Sequence, residues 1–393
     1  MRIGIFTNNF TPLVNGVVVS ISTFKKGLEK LGHEVYIFAP AFRGYNDTDK
    51  NVFRYPSIPL AYKAEYPIAL PTRRDEKFAK EHGLQLVHAQ HPWGVGRSAL
   101  RLAQNLSLPV IFTNHTRYEF YVDYVPPLLP KHLVIKLVER AAAGYANQTD
   151  AVIAPTLSIK EYLIKNGVRE PLIHILPSGI DFSVLKSAPP ANLRKRFDIP
   201  ADHKLILYFG RVGPEKNLPV ILEAYKYISS KESKTTLVIA GGTKGAETYL
   251  EFLKQSAAKL GIAEKVYFTG IVPPEERGGY FREGDVFIHS SLSETQGLIM
   301  TDAMAFGVPV VAIRASGVVD IVRDGENGLI TDNSTQALAE GVLKVIKDSN
   351  LHKRLSEGAE KSAQEYTTEA VSIRLERIYK EVLEGGENFK PPA

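Results

Sequence analysis

Short apolar runs alternate with stretches of helical periodicity along almost the whole chain. In the first half the runs at residues 2–6, 34–39, 86–90, 110–114, 151–155 and 173–177 predict strands. In the second half those at 205–210, 236–241, 266–269, 286–289 and 310–313 do the same. Continuously apolar strands are covered on both faces, and between amphipathic helices they specify parallel sheets. Each half holds enough strands for its own doubly wound sheet, so the expected fold class is α/β with two such domains. The proline-rich stretch Ser187-Ala-Pro-Pro-Ala-Asn192 marks the break, giving a first domain of residues 1–184 and a second of 185–366. Beyond it, Val371, Leu375, Ile378, Tyr379 and Val382 form a helical stripe that must pack somewhere. That C-terminal segment, 367–393, is expected to cross back onto the first domain, with residues 385–393 frayed. No internal repeat or low-complexity segment interrupts the pattern.

Composition changes this picture little. A length of 393 residues exceeds what one core usually fills, and 44% hydrophobic with 23% charged residues describes an ordinary globular protein. No apolar run approaches the ~20 residues that span a bilayer, and the opening residues read as a buried strand rather than a signal peptide. The absence of cysteine excludes disulfides and thiolate metal sites and fits a reducing cytoplasm. A formal net charge of +5 favours anionic partners. There is no dense Lys/Arg run and no zinc-finger or RNA-binding signature, so nucleic acid is not expected. An anionic membrane face or a phosphorylated substrate fits better, which places the protein in the cytoplasm or peripherally on the inner membrane face.

Residues 290–312 carry the most chemistry. A strand ending near His289 enters a small polar loop, and a helix opens at Gly297 and stops at Gly307 and Pro309. Gly297 lets a ligand approach the amides of Gly297, Leu298 and Ile299, which suit a phosphate. Glu294 before the helix and Asp302 within it would repel a diphosphate, so they are expected to meet neutral hydroxyls. An anion site flanked by two hydroxyl-binding acids describes a sugar–diphosphate–ribose ligand, a nucleotide sugar. After the 205–210 strand, Arg211 and Lys216 sit where two cations would neutralise charge on a breaking sugar–phosphate bond; alone they would read as a solvated basic turn. Gly16 opens a helix after a glycine-poor loop and either admits a phosphate or acceptor or is a plain turn glycine.

His115 ends the 110–114 strand, where it either hydrogen-bonds a reacting sugar, acts as a base, or is structural. His88 and His91 read as cleft lining or structure, since further metal ligands are missing. Asp47-Thr-Asp49 superficially matches an acid-x-acid metal pair but reads as a solvated polar loop, and no metal is expected. Residues 131–140 are amphipathic, with His132, Lys136 and Arg140 opposite Leu133, Leu137 and Val138; this is either a membrane-surface helix or a packed helix with a charged outer face.

Together these residues resemble the GT-B retaining glycosyltransferases, the large family that includes sucrose synthase, phosphatidylinositol mannosyltransferases and diacylglycerol glucosyltransferases. The resemblance runs through Gly16, the Gly27-Leu-Glu-Lys-Leu-Gly-His-Glu-Val stretch, His115, Ser178-Gly-Ile-Asp181, Gly210-Arg-Val-Gly-Pro-Glu-Lys216, Ser293-Glu-Thr-Gln-Gly297 and Asp302-Ala-Met-Ala. It implies two Rossmann-like domains facing a cleft and metal-independent transfer. It implies that Arg211 and Lys216 grip the donor diphosphate with the 297–299 amides, Glu294 holds the sugar, Asp302 the ribose, and His115 faces the sugar. The family usually has Glu where this chain has Asp302. The Glu-Thr-Gln-Gly loop and the 115–124 segment are similar to diacylglycerol glucosyltransferases, which would bring Tyr118, Glu119, Tyr121 and Tyr124 near a lipid acceptor. The expected reaction moves glucose from UDP-glucose to a hydroxyl acceptor, with membrane diacylglycerol as one acceptor. The rivals are a mannosyltransferase or soluble-acceptor transferase, a nucleotide-sugar epimerase, and a non-catalytic nucleotide-sugar sensor.

Overall fold

The computed structural model describes residues 1–13, 15–60, 63–70, 72–119, 129–243, 247–292 and 294–385. The chain forms two compact units, Met1–Gly179 with Thr368–Ala393, and Ile180–Thr367. Strands of the first unit are β1 (Arg2–Phe6), β2 (Glu34–Pro40), β3 (Val52–Tyr55), β4 (Ser57–Leu60), β5 (Lys63–Ala69), β6 (Leu86–Ala89), β7 (Val110–Thr113), β8 (Ala151–Ala154) and β9 (Ile173–Ile175). Seven of them make a parallel sheet in the order β3-β2-β1-β6-β7-β8-β9, while β4 and β5 pair antiparallel on their own. The second unit holds β10 (Lys204–Phe209), β11 (Thr235–Ala240), β12 (Val266–Phe268), β13 (Val286–His289), β14 (Val310–Ile313) and β15 (Gly328–Thr331). They form one parallel sheet in the order β12-β11-β10-β13-β14-β15.

Both sheets are doubly wound, and alternation along a strand shows why. Leu205, Leu207 and Phe209 of β10 pack on one side with Met300 and Ala303, whereas Ile206 and Tyr208 pack on the other with Ile221 and Leu222. Each such side chain, fully buried, contributes about 2 kcal/mol. Strand order reverses between β1 and β6 in one unit and between β10 and β13 in the other. Loops leaving those neighbouring strands diverge, opening a crevice at the carboxyl end of each sheet.

The helix Thr368–Gly385 lies in the first unit. Val371, Leu375, Ile378 and Tyr379 pack with Val18, Ile21, Phe24 and Leu28 of helix Gly16–Lys30. The contact is close: a Cβ on Gly27 would stand 1.8 Å from Ser372 Oγ. The unit boundary falls at Gly179/Ile180, ahead of the expected one. Ile180 N–H donates to Tyr366 O at 2.7 Å, and Ile180 and Leu185 are buried in the second unit. The proline-rich stretch is packed there too, since a Cβ on Gly279 would meet Pro189 O at 2.1 Å. Residues 386–393, expected to fray, lie outside the described residues.

Candidate active site

In the second unit the two loops at the strand reversal meet. The β10 loop turns through Gly210 and a short Pro214–Lys216 helical turn into helix Leu218–Lys231. Ser290, just past β13, clasps that turn by donating from Oγ to Lys216 O at 2.8 Å and Asn217 O at 3.0 Å. As a result Lys216 Nζ lies 2.6 Å from Glu294 Oε1, with the side chains 20% and 13% exposed. His289 Nε2 approaches the same oxygen at 3.5 Å. Burial alone would raise the Glu294 pKa, but the His289 ring and the Lys216 ammonium outweigh it and hold the carboxyl well below the usual range. Glu294 is therefore ionised at any ordinary pH, one oxygen occupied and Oε2 left without a partner among the described residues. Arg211 is exposed and pairs with Glu215 at 2.6 Å. An exposed pair of this kind is worth about 0–1 kcal/mol, so an anionic ligand can take the guanidinium at little cost.

Gly297 has φ 76° and begins helix Leu298–Met304. A Cβ there would meet Met300 Cε at 2.4 Å, so both the backbone angle and the space favour glycine. The N–H groups of Leu298 and Ile299 have no acceptor among the described residues. Gly317, also at positive φ, backs Glu294 so tightly that a Cβ would lie 2.6 Å from Glu294 O.

Asp302 is placed differently from the expectation that it lies open to a ribose. It is 1% exposed, with Oδ2 3.1 Å from Arg277 Nε on helix Arg277–Glu283, and Oδ1 has no partner among the described residues. Burial pushes its pKa up to about 6 against the pull of Arg277. The aspartate side chain is buried beside helix Arg277–Glu283, one methylene shorter than the family's usual glutamate.

The first unit gathers a second polar cluster at its own strand reversal. His115 Nε2 lies 2.7 Å from Gln90 Oε1, and burial, with His91 and His88 nearby, pushes the ring's pKa down to about 3. Burial thus disfavours the charged ring here and suits it to hydrogen bonding. His91 accepts the Asn8 N–H at 3.1 Å, and burial brings its pKa to about 4. His88 is wholly buried between Tyr379 OH and Thr113 Oγ1, each at 2.7 Å, and is structural. At Gly16 the helix start is already capped, since Asn15 Oδ1 accepts from Val17 and Val18 N–H at 3.0 and 3.1 Å. A phosphate there would have to displace that side chain.

Tyr118 stacks edge-on against Trp93, 5.1 Å between centroids, and Glu119 pairs with Arg117. Tyr121, Tyr124 and Ser293 lie outside the described residues. The 47–49 loop is not simply solvated. Asp47 is gripped by Arg54 through two bonds of 2.8 and 2.7 Å, and Asp49 pairs with Lys25 at 3.0 Å. In helix Lys131–Ala146 the expected opposition of leucines to basic residues is not found. Leu133 and Leu137 are each 55% exposed, on the same solvent-facing side as His132, Lys136 and Arg140. Among the described residues no helix is long and apolar enough to cross a membrane.

His289, Arg277, Gly317 and Gln90 were not singled out from the sequence. His289 and Gln90 did carry a signal, each being a polar residue at the end of an apolar run. Arg277 and Gly317 act across elements distant in sequence, which periodicity does not reveal.

The chain matches the model described as Glycosyltransferase Family 4 over residues 14–184 and the model described as Glycosyl transferases group 1 over residues 191–362. It is 34% identical over 321 residues to an alpha-monoglucosyldiacylglycerol synthase of Streptococcus pneumoniae, covering 79% of this chain and 71% of that protein. A protein of the same name from Acholeplasma laidlawii is 28% identical over 98% of each chain. A D-inositol 3-phosphate glycosyltransferase of Acidothermus cellulolyticus is 28% identical over 94% of this chain and 86% of its own. Among solved structures, Anabaena HepE in complex with UDP and glucose superposes with a TM-score of 0.76 at 20% identity, covering 97% of this chain and all of that one. Sucrose-phosphate synthase from Thermosynechococcus elongatus gives 0.76 at 19% identity over 98% and 99%. Both superpositions establish a shared GT-B fold. With two parallel-sheet units, both family models and a relative of this identity, the chain belongs to the group 1 and family 4 glycosyltransferases, enzymes that transfer a hexosyl group from a nucleotide sugar.

Proposed function

We propose that this enzyme transfers glucose from UDP-glucose, with retention at the anomeric carbon and without a metal ion, to membrane diacylglycerol. The observation that carries the lipid acceptor is the exposed face of helix Lys131–Ala146. Leu133 and Leu137 stand in solvent beside His132, Lys136 and Arg140, a combination that suits the leucines to acyl chains and the lysine and arginine to anionic headgroups. The names of the S. pneumoniae and A. laidlawii relatives support the same acceptor. Such an enzyme works peripherally, on the cytoplasmic face.

In this reading Glu294 Oε2 accepts from hydroxyls of the glucosyl group while Lys216 keeps Oε1. An ammonium has three donors, so Lys216 also reaches the donor phosphate, joined by Arg211 and the Leu298 and Ile299 amides. These fixed charges stabilise the leaving diphosphate, whose oxygen takes the acceptor proton on the face it departs, which retains configuration. Tyr118 and Glu119 flank the acceptor. A mannosyl or soluble inositol-phosphate transfer is the second reading, supported by the A. cellulolyticus relative.

The test is to supply UDP-glucose, UDP-galactose and GDP-mannose with and without diacylglycerol vesicles, in EDTA. Nucleotide release from UDP-glucose that requires the lipid, giving an α-linked product, is expected. Release from GDP-mannose with a soluble acceptor would favour the second reading.

A further inference from the structure

We infer that Glu215 is a built-in competitor for the donor: its carboxylate occupies Arg211, and a nucleoside diphosphate has to expel it to reach the guanidinium. Donor and nucleotide product are then both held more loosely than the cations of the site would hold them unopposed. The inference rests on the proposed role of Arg211 at the diphosphate.

Two acids share the loops at the strand reversal of the second unit, and they are held in opposite ways. The Glu294 side chain is 13% exposed and is bound at 2.6 Å by Lys216, with His289 at 3.5 Å from the same oxygen. The Glu215 side chain is 36% exposed, and Arg211, at 2.6 Å, is its single side-chain partner among the described residues. Arg211, 60% exposed, likewise has no other side-chain partner among them. Glu294 is therefore fixed, whereas Glu215 hangs on one solvent-screened contact.

The seat of that carboxylate is left open by Gly213. A Cβ there would stand 2.6 Å from Glu215 Oε2 and 2.8 Å from Oε1. Gly213 has extended backbone angles, φ −150° and ψ 160°, so a larger residue would be opposed by the Glu215 side chain and not by the backbone. The frame around the pair is tied down. Tyr208 OH donates to Arg211 O at 3.0 Å, and Lys216 N–H donates to Gly213 O at 3.0 Å. Expelling Glu215 thus takes a turn of its own side chain and no change in the loop. Carboxylate and phosphate oxygens accept the same charge-assisted bonds from a guanidinium, so one substitutes for the other. Their like charges keep both from sharing it closely.

The experiment is calorimetric titration of UDP into the full chain and its variants. Removing the charge in Glu215→Gln should lower the UDP Kd by about fivefold at low salt, the upper end of what one exposed ion pair is worth. The gap should narrow in about 0.5 M salt, where such pairs are screened. The KM for UDP-glucose should fall by the same factor with kcat unchanged, because a uniform gain in binding moves KM alone. Unchanged or weaker UDP binding, or a lower kcat without a lower KM, overturns the inference. Gly213→Ala keeps the charge but fills the seat, and it should also tighten UDP; equal or weaker binding there counts against the competitor. In an Arg211→Met background the effect of Glu215→Gln should shrink below about twofold, since the two residues act as a pair. A full effect without the arginine would mean that the carboxylate only repels the ligand, which also overturns the competition. Should Glu215→Gln fail to fold, Glu215→Ala reads the same loss of charge. An Arg211→Met protein that binds UDP as the wild type does removes the diphosphate reading of Arg211. Weakened binding in Arg211→Met beside an unaffected Glu215→Gln removes the role of Glu215 alone.

Discussion

Lys216 Nζ and Glu294 Oε1 stand 2.6 Å apart, joining two loops that are 78 residues apart in the chain. The pair places a cation and an acid, each assigned to a different part of the ligand, within one hydrogen bond of each other. On the proposed reading, replacing Lys216 with Ala removes a phosphate contact and releases the acid together. We expect kcat to fall far more than donor affinity, by two orders of magnitude or more for a lost charge-stabilising donor. Steady-state kinetics with donor binding by calorimetry check this, and equal losses in both would contradict the role.

For Glu294→Gln the charge disappears but the shape stays. Activity should drop at least tenfold, and the effect should shrink when Lys216 is already absent, because the two residues share one interaction. A double-mutant cycle on kcat/KM measures the coupling; strictly additive losses would separate them.

Asp302 sets a pH dependence of stability. Its pKa rises from 3.8 to about 6 on folding, chiefly through burial. Between about pH 4 and 6 the unfolded chain has released this proton while the folded chain keeps it, so stability falls as pH rises through that window. A shift of this size corresponds to about 3 kcal/mol. Asp302→Asn should flatten that part of the curve, measured as urea midpoint against pH. A variant as steep as the wild type would deny the shift.

Leu133→Ser with Leu137→Ser should leave thermal stability nearly untouched, since both side chains are 55% exposed. Vesicle sedimentation should show weaker binding to anionic membranes, and glucosylation of vesicle diacylglycerol should fall with it. Unchanged membrane binding would leave this helix without the docking role.

Gly317→Ala puts a Cβ 2.6 Å from the Glu294 carbonyl, at φ 78°. Strain of this kind costs about 1–3 kcal/mol. The melting temperature and kcat are expected to fall together, and a neutral result would mean that the 315–317 loop gives way freely.

Eleven strands were legible from apolar runs alone, because buried parallel strands need no partner to look apolar. The strands that escaped notice are β3, the β4–β5 pair and β15. Val52, Phe53 and Arg54 in β3 are only partly buried at a sheet edge, and β15 opens with a glycine, so neither reads as a continuous apolar core. At the site, Arg211, Lys216, Glu294 and Gly297 were legible because each follows a strand end. The direction of Asp302 was not, because it depends on Arg277, 25 residues earlier on another helix. Nor was the role of Arg54, whose guanidinium joins Asp47 to the Thr11 carbonyl and to that of Pro40 at the end of β2. Side-chain pairing between distant loops leaves no periodic trace.

The helix Thr368–Gly385 completes the first unit although it is made after the whole of the second. While the ribosome is still translating residues 180–367, the greasy side of helix Gly16–Lys30, with Val18, Phe24 and Leu28, lacks the part of its cover that Val371, Leu375, Ile378 and Tyr379 supply. The nascent amino-terminal half is thus left sticky until Thr368–Gly385 has been made, and a chain stopped short of Thr368 is expected to be a client for chaperones rather than a half-enzyme.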